Sequence, residues 1–303
     1  MKAKMKAKNP NPEMSSSLSS PSPSSSSPPL VALFWNYTFK VVDSKEKLLF
    51  YLQNYGCEEE FAECLRVARY REGLLNCWFN SIRGNDEAII MEFIRVGMNV
   101  NERATNTEET ALHIACDVGL EPVVQLLLNL EVDVNARDKL HYTPLMKACY
   151  GGFANILRLL LDRGAQVNAT SKYDETGLLL ACSRNRCDCV AMLLEAEART
   201  DGFDRNGLNA LMHAASKGYF AVIDLFANVH VDVNIATQNS TARTALCLAV
   251  RGRHVRAVYS LLTLGADRSI KDKEKKTVFD YALTKEMKDA LESVDEDIGY
   301  LLK

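Results

Sequence analysis

The sequence predicts an all-α solenoid of about six stacked repeats closed by terminal caps, each repeat a helix pair joined to the next by a β-turn finger loop. Three observations carry that reading. A six-residue phrase returns along the chain: Thr110-Ala-Leu-His-Ile-Ala115, Thr143-Pro-Leu-Met-Lys-Ala148, Thr176-Gly-Leu-Leu-Leu-Ala181, Asn209-Ala-Leu-Met-His-Ala214, Thr244-Ala-Leu-Cys-Leu-Ala249 and Thr277-Val-Phe-Asp-Tyr-Ala282. The first four begin 33 residues apart. A helix-ending residue and a leucine-rich run follow at fixed distances, and an Asn-containing turn precedes the next phrase. A period of this length means supersecondary units that bury their apolar faces only against their neighbours.

The first helix of each unit opens at the phrase. A Thr or Asn side chain accepts an orphan backbone amide of the first turn, and Pro144 stands at the first helical position, where its fixed φ costs nothing. Nine residues after each start stand Gly119, Gly152, Asn185 and Gly218, residue types that tolerate the left-handed backbone ending a helix. Residues 123–128, 156–161, 190–194, 222–226 and 258–262 then place apolar side chains at helical spacing, which is the second helix. Val132-Asp-Val-Asn-Ala136, Ala165-Gln-Val-Asn-Ala169 and Val231-Asp-Val-Asn-Ile235 close the units, with Asn bonding its own backbone in a tight turn.

This pattern resembles the ankyrin repeat, whose signature reads T-P-L-H-x-A, then Gly, a leucine run and G-A-D-V-N-A. The resemblance covers residues 74–290. Residues 76–101 fit it least: Trp78 takes a Leu position and Asn85 the turn, although Gly97-Met-Asn-Val-Asn101 ends as the others do. This stretch reads as a first repeat modified as a cap. One extra residue lies between Asn101 and Thr110 and two between Asn234 and Thr244, so the second and sixth fingers are expected to be unusual. Arg253 stands in the turn-glycine slot with Gly252 just before it, which leaves open whether that turn is shifted.

The expected organisation is a disordered Ser/Pro-rich tail at 1–29, an N-terminal helical cap region at 30–73, repeats at 74–271, and a capping repeat and tail at 272–303. The tail holds ten Ser, six Pro and four Lys against one acid, Glu13, a composition that does not offset the entropy of ordering a chain. An organelle-targeting role for it is the minor reading, since Arg and an amphipathic pattern are missing. In the last helix Met287, Ala290 and Leu291 are expected to face inward. The apolar run at 30–42 contains Asn36 and Lys40 and is too short and polar to span a bilayer.

With 303 residues, 47% of them hydrophobic, and a net charge of −3, the chain suits a long stacked core and shows no global bias toward nucleic acid. No enzyme motif is found: the register gathers no Ser, His and acid, and no glycine-rich phosphate loop or HExxH is present. No cofactor, metal or small-molecule substrate is expected. Cys116, Cys149 and Cys182 share one repeat slot, where equivalent positions on neighbouring helices lie about 8–10 Å apart, too far to bridge. They read as small buried apolar residues. Cys187-Asp-Cys189 alone cannot close a metal tetrahedron. Unpaired thiols fit a cytoplasmic or nuclear location, and the chain is expected to be monomeric on its own.

The resemblance implies that partners touch the finger tips and the inner face of each first helix. Those slots are the positions just before each Thr and those seven and eight after it. Repeat three places Leu140, Tyr142 and Tyr150 there; repeat four Lys172, Tyr173, Glu175 and Arg184; repeat five Phe203, Arg205, Leu208 and Lys217. Exposed Tyr, Phe and Arg contribute about 2 kcal/mol or more each when they act as interface anchors. Further along, Arg243, Arg251, Arg253, Lys273, Lys275 and Lys276 form a basic stretch, while repeat two offers Glu108, Glu109 and Asp117.

The expectation is a protein-interaction module, acting as adaptor, inhibitor or assembly scaffold through repeats three to five. Its partner segment would be apolar or aromatic at the middle and acidic toward repeat six. The alternative is binding of nucleic acid or an anionic membrane surface through the basic stretch and the Lys-rich start, which the acidic overall balance opposes. The resemblance also implies that Asn135 is a candidate for oxygen-dependent asparaginyl hydroxylation, a slot it shares with Asn101, Asn168 and Asn234.

Overall fold

The computed structural model describes Gln53 and residues 68–292. The tail expected at 1–29, the cap region up to residue 67 and the segment 293–303 lie outside the described residues. A unit beginning at Glu72 holds the repeats. Repeat one is α1 (Ala68–Arg83) and α2 (Glu87–Arg95), repeat two α3 (Ala111–Val118) and α4 (Glu121–Leu128), and repeat three α5 (Pro144–Gly151) and α6 (Ala154–Asp162). Repeat four is α7 (Gly177–Ser183) and α8 (Cys187–Glu195), and repeat five α9 (Ala210–Lys217) and α10 (Phe220–Asp224) with a 3-10 turn at Leu225–Asn228. Repeat six is α11 (Ala245–Arg251) and α12 (Val255–Thr263), followed by α13 (Val278–Tyr281) and α14 (Lys285–Glu292). The described residues form helices and turns without strands, apart from one isolated bridge between Ala236 and Thr244.

First helices stack on first helices from α3 to α13, and second helices on second helices from α4 to α14. The recurring phrase is itself the core: Leu112, Leu145, Leu178, Leu211 and Leu246, with Ala115, Ala148, Ala181, Ala214 and Ala249, are buried throughout. Alanine at the close contact lets neighbouring helices approach, and each buried leucine contributes about 2 kcal/mol. At the start of the array Trp78 is fully buried edge-to-face against Phe93, ring centroids 5.7 Å apart. Its helix α1 has 16 residues where α3 has 8, and it runs through the expected boundary at 73/74. At the other end Met287, Ala290 and Leu291 are buried on α14, the inward face expected of a cap.

Helix starts and stops follow the predicted chemistry. The amides of Met146, Leu179, Met212 and Cys247 donate to Thr143, Thr176, Asn209 and Thr244 side chains. At Thr110 and Thr277 the backbone amide is instead taken by His113 Nδ1 and Asp280 Oδ2. Gly119, Gly152 and Gly218 end their helices with positive φ, and so does Asn185 at 58°. The turn at Arg253 is not shifted. Arg253 itself takes φ 61° while Gly252 stays helical, at a cost of about 1–2 kcal/mol for a side chain in that region. Gly152 has a second reason to be glycine, since a Cβ there would lie 2.5 Å from the Arg186 side chain of the next repeat.

The insertions fall where expected. Regular fingers close from Asp138 to Tyr142, Ser171 to Glu175, Asp204 to Leu208 and Asp272 to Lys276, whereas the second closes from Ala104 to Glu109 and the sixth from Thr237 to Arg243. Successive fingers are joined by backbone bonds from Lys139 to Thr107, Lys172 to Leu140, Arg205 to Tyr173, Gln238 to Gly207 and Lys273 to Thr241. Gly207 carries φ 73°, and a Cβ on it would lie 2.7 Å from the Asn239 amide, so glycine permits this approach.

A second ladder uses the finger-turn asparagines. Asn135 donates to the Gly164 carbonyl and accepts from the Gln166 amide, and Asn101 and Asn234 do the same to Glu131 and Asp133 and to Gly265 and Asp267. Asn168 accepts from Arg199. The next slot holds Asp201, which pairs with Arg199 of its own repeat at 3.1 Å and bonds nothing in repeat five. At that missing rung lies an open cleft of about 410 Å³ lined by Arg199, Asp201, Val229 and His230. The second helix of repeat five is also short there and ends in the 3-10 turn. Asp201→Asn supplies both a donor and an acceptor across the gap, and urea unfolding should show a gain of about 1 kcal/mol; an unchanged or lower midpoint would show that the rung does not limit this interface.

Candidate partner-binding surface

The slots singled out in the sequence fall into two environments. On the inner helices Tyr150, at the end of α5, is 40% exposed, and the Arg184 guanidinium of the next repeat lies 4.0 Å from its ring centroid. In the fingers Leu140 and Tyr173 occupy equivalent places in neighbouring loops, at 41% and 42% exposure. Arg205 stacks 5.3 Å from the Tyr173 ring and meets Asp174 at 3.8 Å. Lys172 is exposed, Phe203 and Leu208 are half-buried, and Lys217 is exposed with Nζ 2.6 Å from the Ser183 carbonyl. These stacks hold long cationic side chains flat on aromatic faces, each contributing about 0.5–1 kcal/mol.

Tyr142 departs from the exposed placement expected. It is half-buried against Met146, Ala169 and Leu180, and its hydroxyl donates to Glu175 Oε2 at 2.5 Å. Burial, then the Glu175 carboxylate, push its phenol well above the ordinary range. Tyr142 is therefore a strut between the third and fourth fingers. The basic stretch departs as well. Arg243 is mostly covered, lies within 3.4 Å of Asp272 and 3.3 Å of Glu274, and faces the Tyr281 ring. Lys276 pairs with Glu274 at 2.7 Å. Arg251 stacks 5.2 Å from Tyr281 and has no ion pair among the described residues.

Tyr281 and Asp272 were not singled out, yet with Glu175 they organise these sites. The signal was readable in the register: four residues after the phrase begins, repeats three and five and the terminal pair α13 and α14 carry Lys147, His213 and Tyr281 where repeats two, four and six carry Ile114, Leu180 and Leu248. Each polar member meets the aspartate opening its own finger, Lys147 with Asp138 at 3.6 Å, His213 with Asp204 at 2.9 Å and Tyr281 with Asp272 at 2.5 Å. Lys147 also bonds Glu109 of the second finger at 2.8 Å.

The family model for ankyrin repeats, in three copies, matches residues 78–171 and 168–237. The chain belongs to the ankyrin-repeat family. Among solved structures it is similar to the ankyrin repeat domain of Bcl-3, described as a member of the IkappaB protein family. That match has a TM-score of 0.62 and 26% identity over 71% of this chain and 97% of that one. The human ASB11 ankyrin repeat domain matches at TM-score 0.62 and 23% identity over 71% and 96%. An ankyrin repeat domain from Acinetobacter baumannii AYE matches at 0.57 and 25% over 63% and 98%. The likeness to ASB11 bears on the fold alone.

In this ankyrin array the remaining candidates are engaged in structure. Cys116, Cys149 and Cys182 are fully buried, and burial raises their thiols well above the usual range. Burial likewise lifts Cys189 to about 11, while Cys187 is half-buried. No group of three or more His, Cys, Asp or Glu among the described residues is placed to hold a metal ion, and no described helix is long and apolar enough to cross a membrane.

His113 is buried between two repeats. Its Nε2 donates to the Tyr142 carbonyl at 2.9 Å, so Nδ1 is the acceptor for the Thr110 amide and hydroxyl. Burial lowers its pKa below the ordinary histidine value of about 6.5, with the Tyr142 bond opposing. The folded array favours the neutral ring, so this contribution to stability is present above about pH 6.5 and is lost as pH falls toward the lower folded value. Urea midpoints at pH 7.5 and 5.5 should differ more for the native chain than for His113→Gln; equal differences would remove His113 from the acid response.

Proposed function

We propose that this ankyrin array is a non-enzymatic interaction module, an adaptor, inhibitor or assembly scaffold, that holds one protein partner by the finger tips and inner helix faces of repeats three to five. The partner segment is apolar or aromatic where it meets Leu140, Tyr150 and Tyr173 and acidic toward repeat six. The observation that carries this reading is the set of aromatic and aliphatic side chains left 40–42% exposed, Leu140 and Tyr173 in equivalent finger slots of adjacent repeats and Tyr150 at an inner-helix end, each tyrosine backed by an arginine. Such side chains lose little conformational freedom on binding and are the types that act as anchors. Internal neutralisation of Arg243 and Lys276 weighs against nucleic acid or an anionic membrane as the target. All seven described cysteines are free thiols, which supports residence in the cytoplasm or nucleus.

The test is a paired pull-down read by mass spectrometry, comparing the native chain with Leu140→Ala, Tyr150→Ala, Tyr173→Ala combined. These residues are exposed, so unchanged circular dichroism is expected, and a captured protein should vanish from the variant's list. Each anchor is expected to contribute about 2 kcal/mol, roughly thirtyfold in Kd. Identical lists from two folded proteins would end this reading.

We also propose Asn135 as a hydroxylation site. Its side chain is half-buried and bonded to repeat three, so a modifying enzyme must act when that rung opens. Peptide mass spectra from oxygenated cells should show one added oxygen on Asn135, and its absence at full sequence coverage would refute the assignment.

A further inference from the structure

Three cations stand at the C-terminal ends of three consecutive inner helices: Arg184 after α7 and Lys217 at the end of α9, each eight residues after its phrase begins, and Arg251 at the end of α11, one place earlier in its own phrase. All three are exposed, and none has a carboxylate partner among the described residues. Each is nevertheless held in place. Arg184 lies on Tyr150, Lys217 donates to the Ser183 carbonyl of the preceding repeat, and Arg251 lies on Tyr281. In the fingers Arg205, Arg243 and Lys276 have acidic neighbours, while Lys172, Lys273 and Lys275 are exposed without a carboxylate partner among the described residues. The inner helices add one such uncompensated cation per repeat from repeat four to repeat six.

Packed helices lie about 8–10 Å apart, and an extended chain advances about 3.3 Å per residue. One repeat thus corresponds to three residues of an extended segment. We infer that the array recognises an extended acidic segment with a carboxylate at every third residue, its three acids meeting Arg184, Lys217 and Arg251. This inference rests on the groove reading above and specifies the chemistry and register of the partner. An extended chain can follow the small rotation between successive repeats residue by residue, whereas a straight helical rod with acids every seventh residue leaves the row. Cations already positioned on an aromatic face or a carbonyl lose little side-chain freedom on pairing, which favours register over diffuse attraction.

The experiment is fluorescence anisotropy on the full chain with labelled synthetic peptides of identical composition. One carries three glutamates each separated by two residues, one carries them adjacent, and one carries them at heptad spacing in a helix-forming background. The every-third peptide should bind about tenfold or more tighter than either. Lys217→Glu should abolish that preference, and replacing the middle glutamate by lysine should restore binding to this variant alone. Equal affinities for the first two peptides, or tighter binding of the heptad peptide, would overturn the register. If the register fails while the Leu140, Tyr150 and Tyr173 variant still loses its captured protein, the inference falls and the interaction module stands.

Discussion

Everything in this array depends on neighbouring repeats lying flat against one another, because no single helix pair closes a core. Leu145 and Ala148 of repeat three find their surroundings in repeats two and four, and that sideways burial is repeated down the chain. Stability is then a sum of nearest-neighbour terms. Two hydrogen-bond ladders fix the spacing at which this burial happens, one through finger backbones and one through the turn asparagines.

The same constraint explains what was legible in the sequence. Residues that face a neighbour must suit the same geometry in every repeat, so the Thr, Leu, Ala, turn-glycine and Asn slots recur and expose the fold to simple alignment. The two finger insertions were readable for the same reason, since they displace the Thr without changing the slots around it. Repeat one was less legible because Trp78 with a doubled α1 replaces the usual phrase. Arg253 could not be resolved from composition: adjacent Gly252 offered an easier turn, and helix packing held the original register against that preference.

Candidate surface residues were located by slot, and slot alone does not reveal what a side chain finds there. Tyr142 and Tyr173 both precede a Thr by a few residues, yet Tyr142 meets Glu175 of the next finger and becomes a strut, while Tyr173 stays open beneath Arg205. Arg243 and Arg251 were read as equivalent cations. The aspartate opening the last finger and the tyrosine of its helix separate them, covering one and merely backing the other. Distances across repeats decide such cases, and a single sequence encodes them only through the alternation of Lys147, His213 and Tyr281.

A linear stack bears mechanical load in series, so every interface between repeats feels the same tension. The junction between repeats four and five has finger bonds but lacks the turn-asparagine rung, and it has an open cleft beside that gap and a shortened second helix. Under a pull from its two ends this junction, one rung short of its neighbours, carries that load on fewer bonds, and the Tyr173 and Arg205 stack lies directly across it.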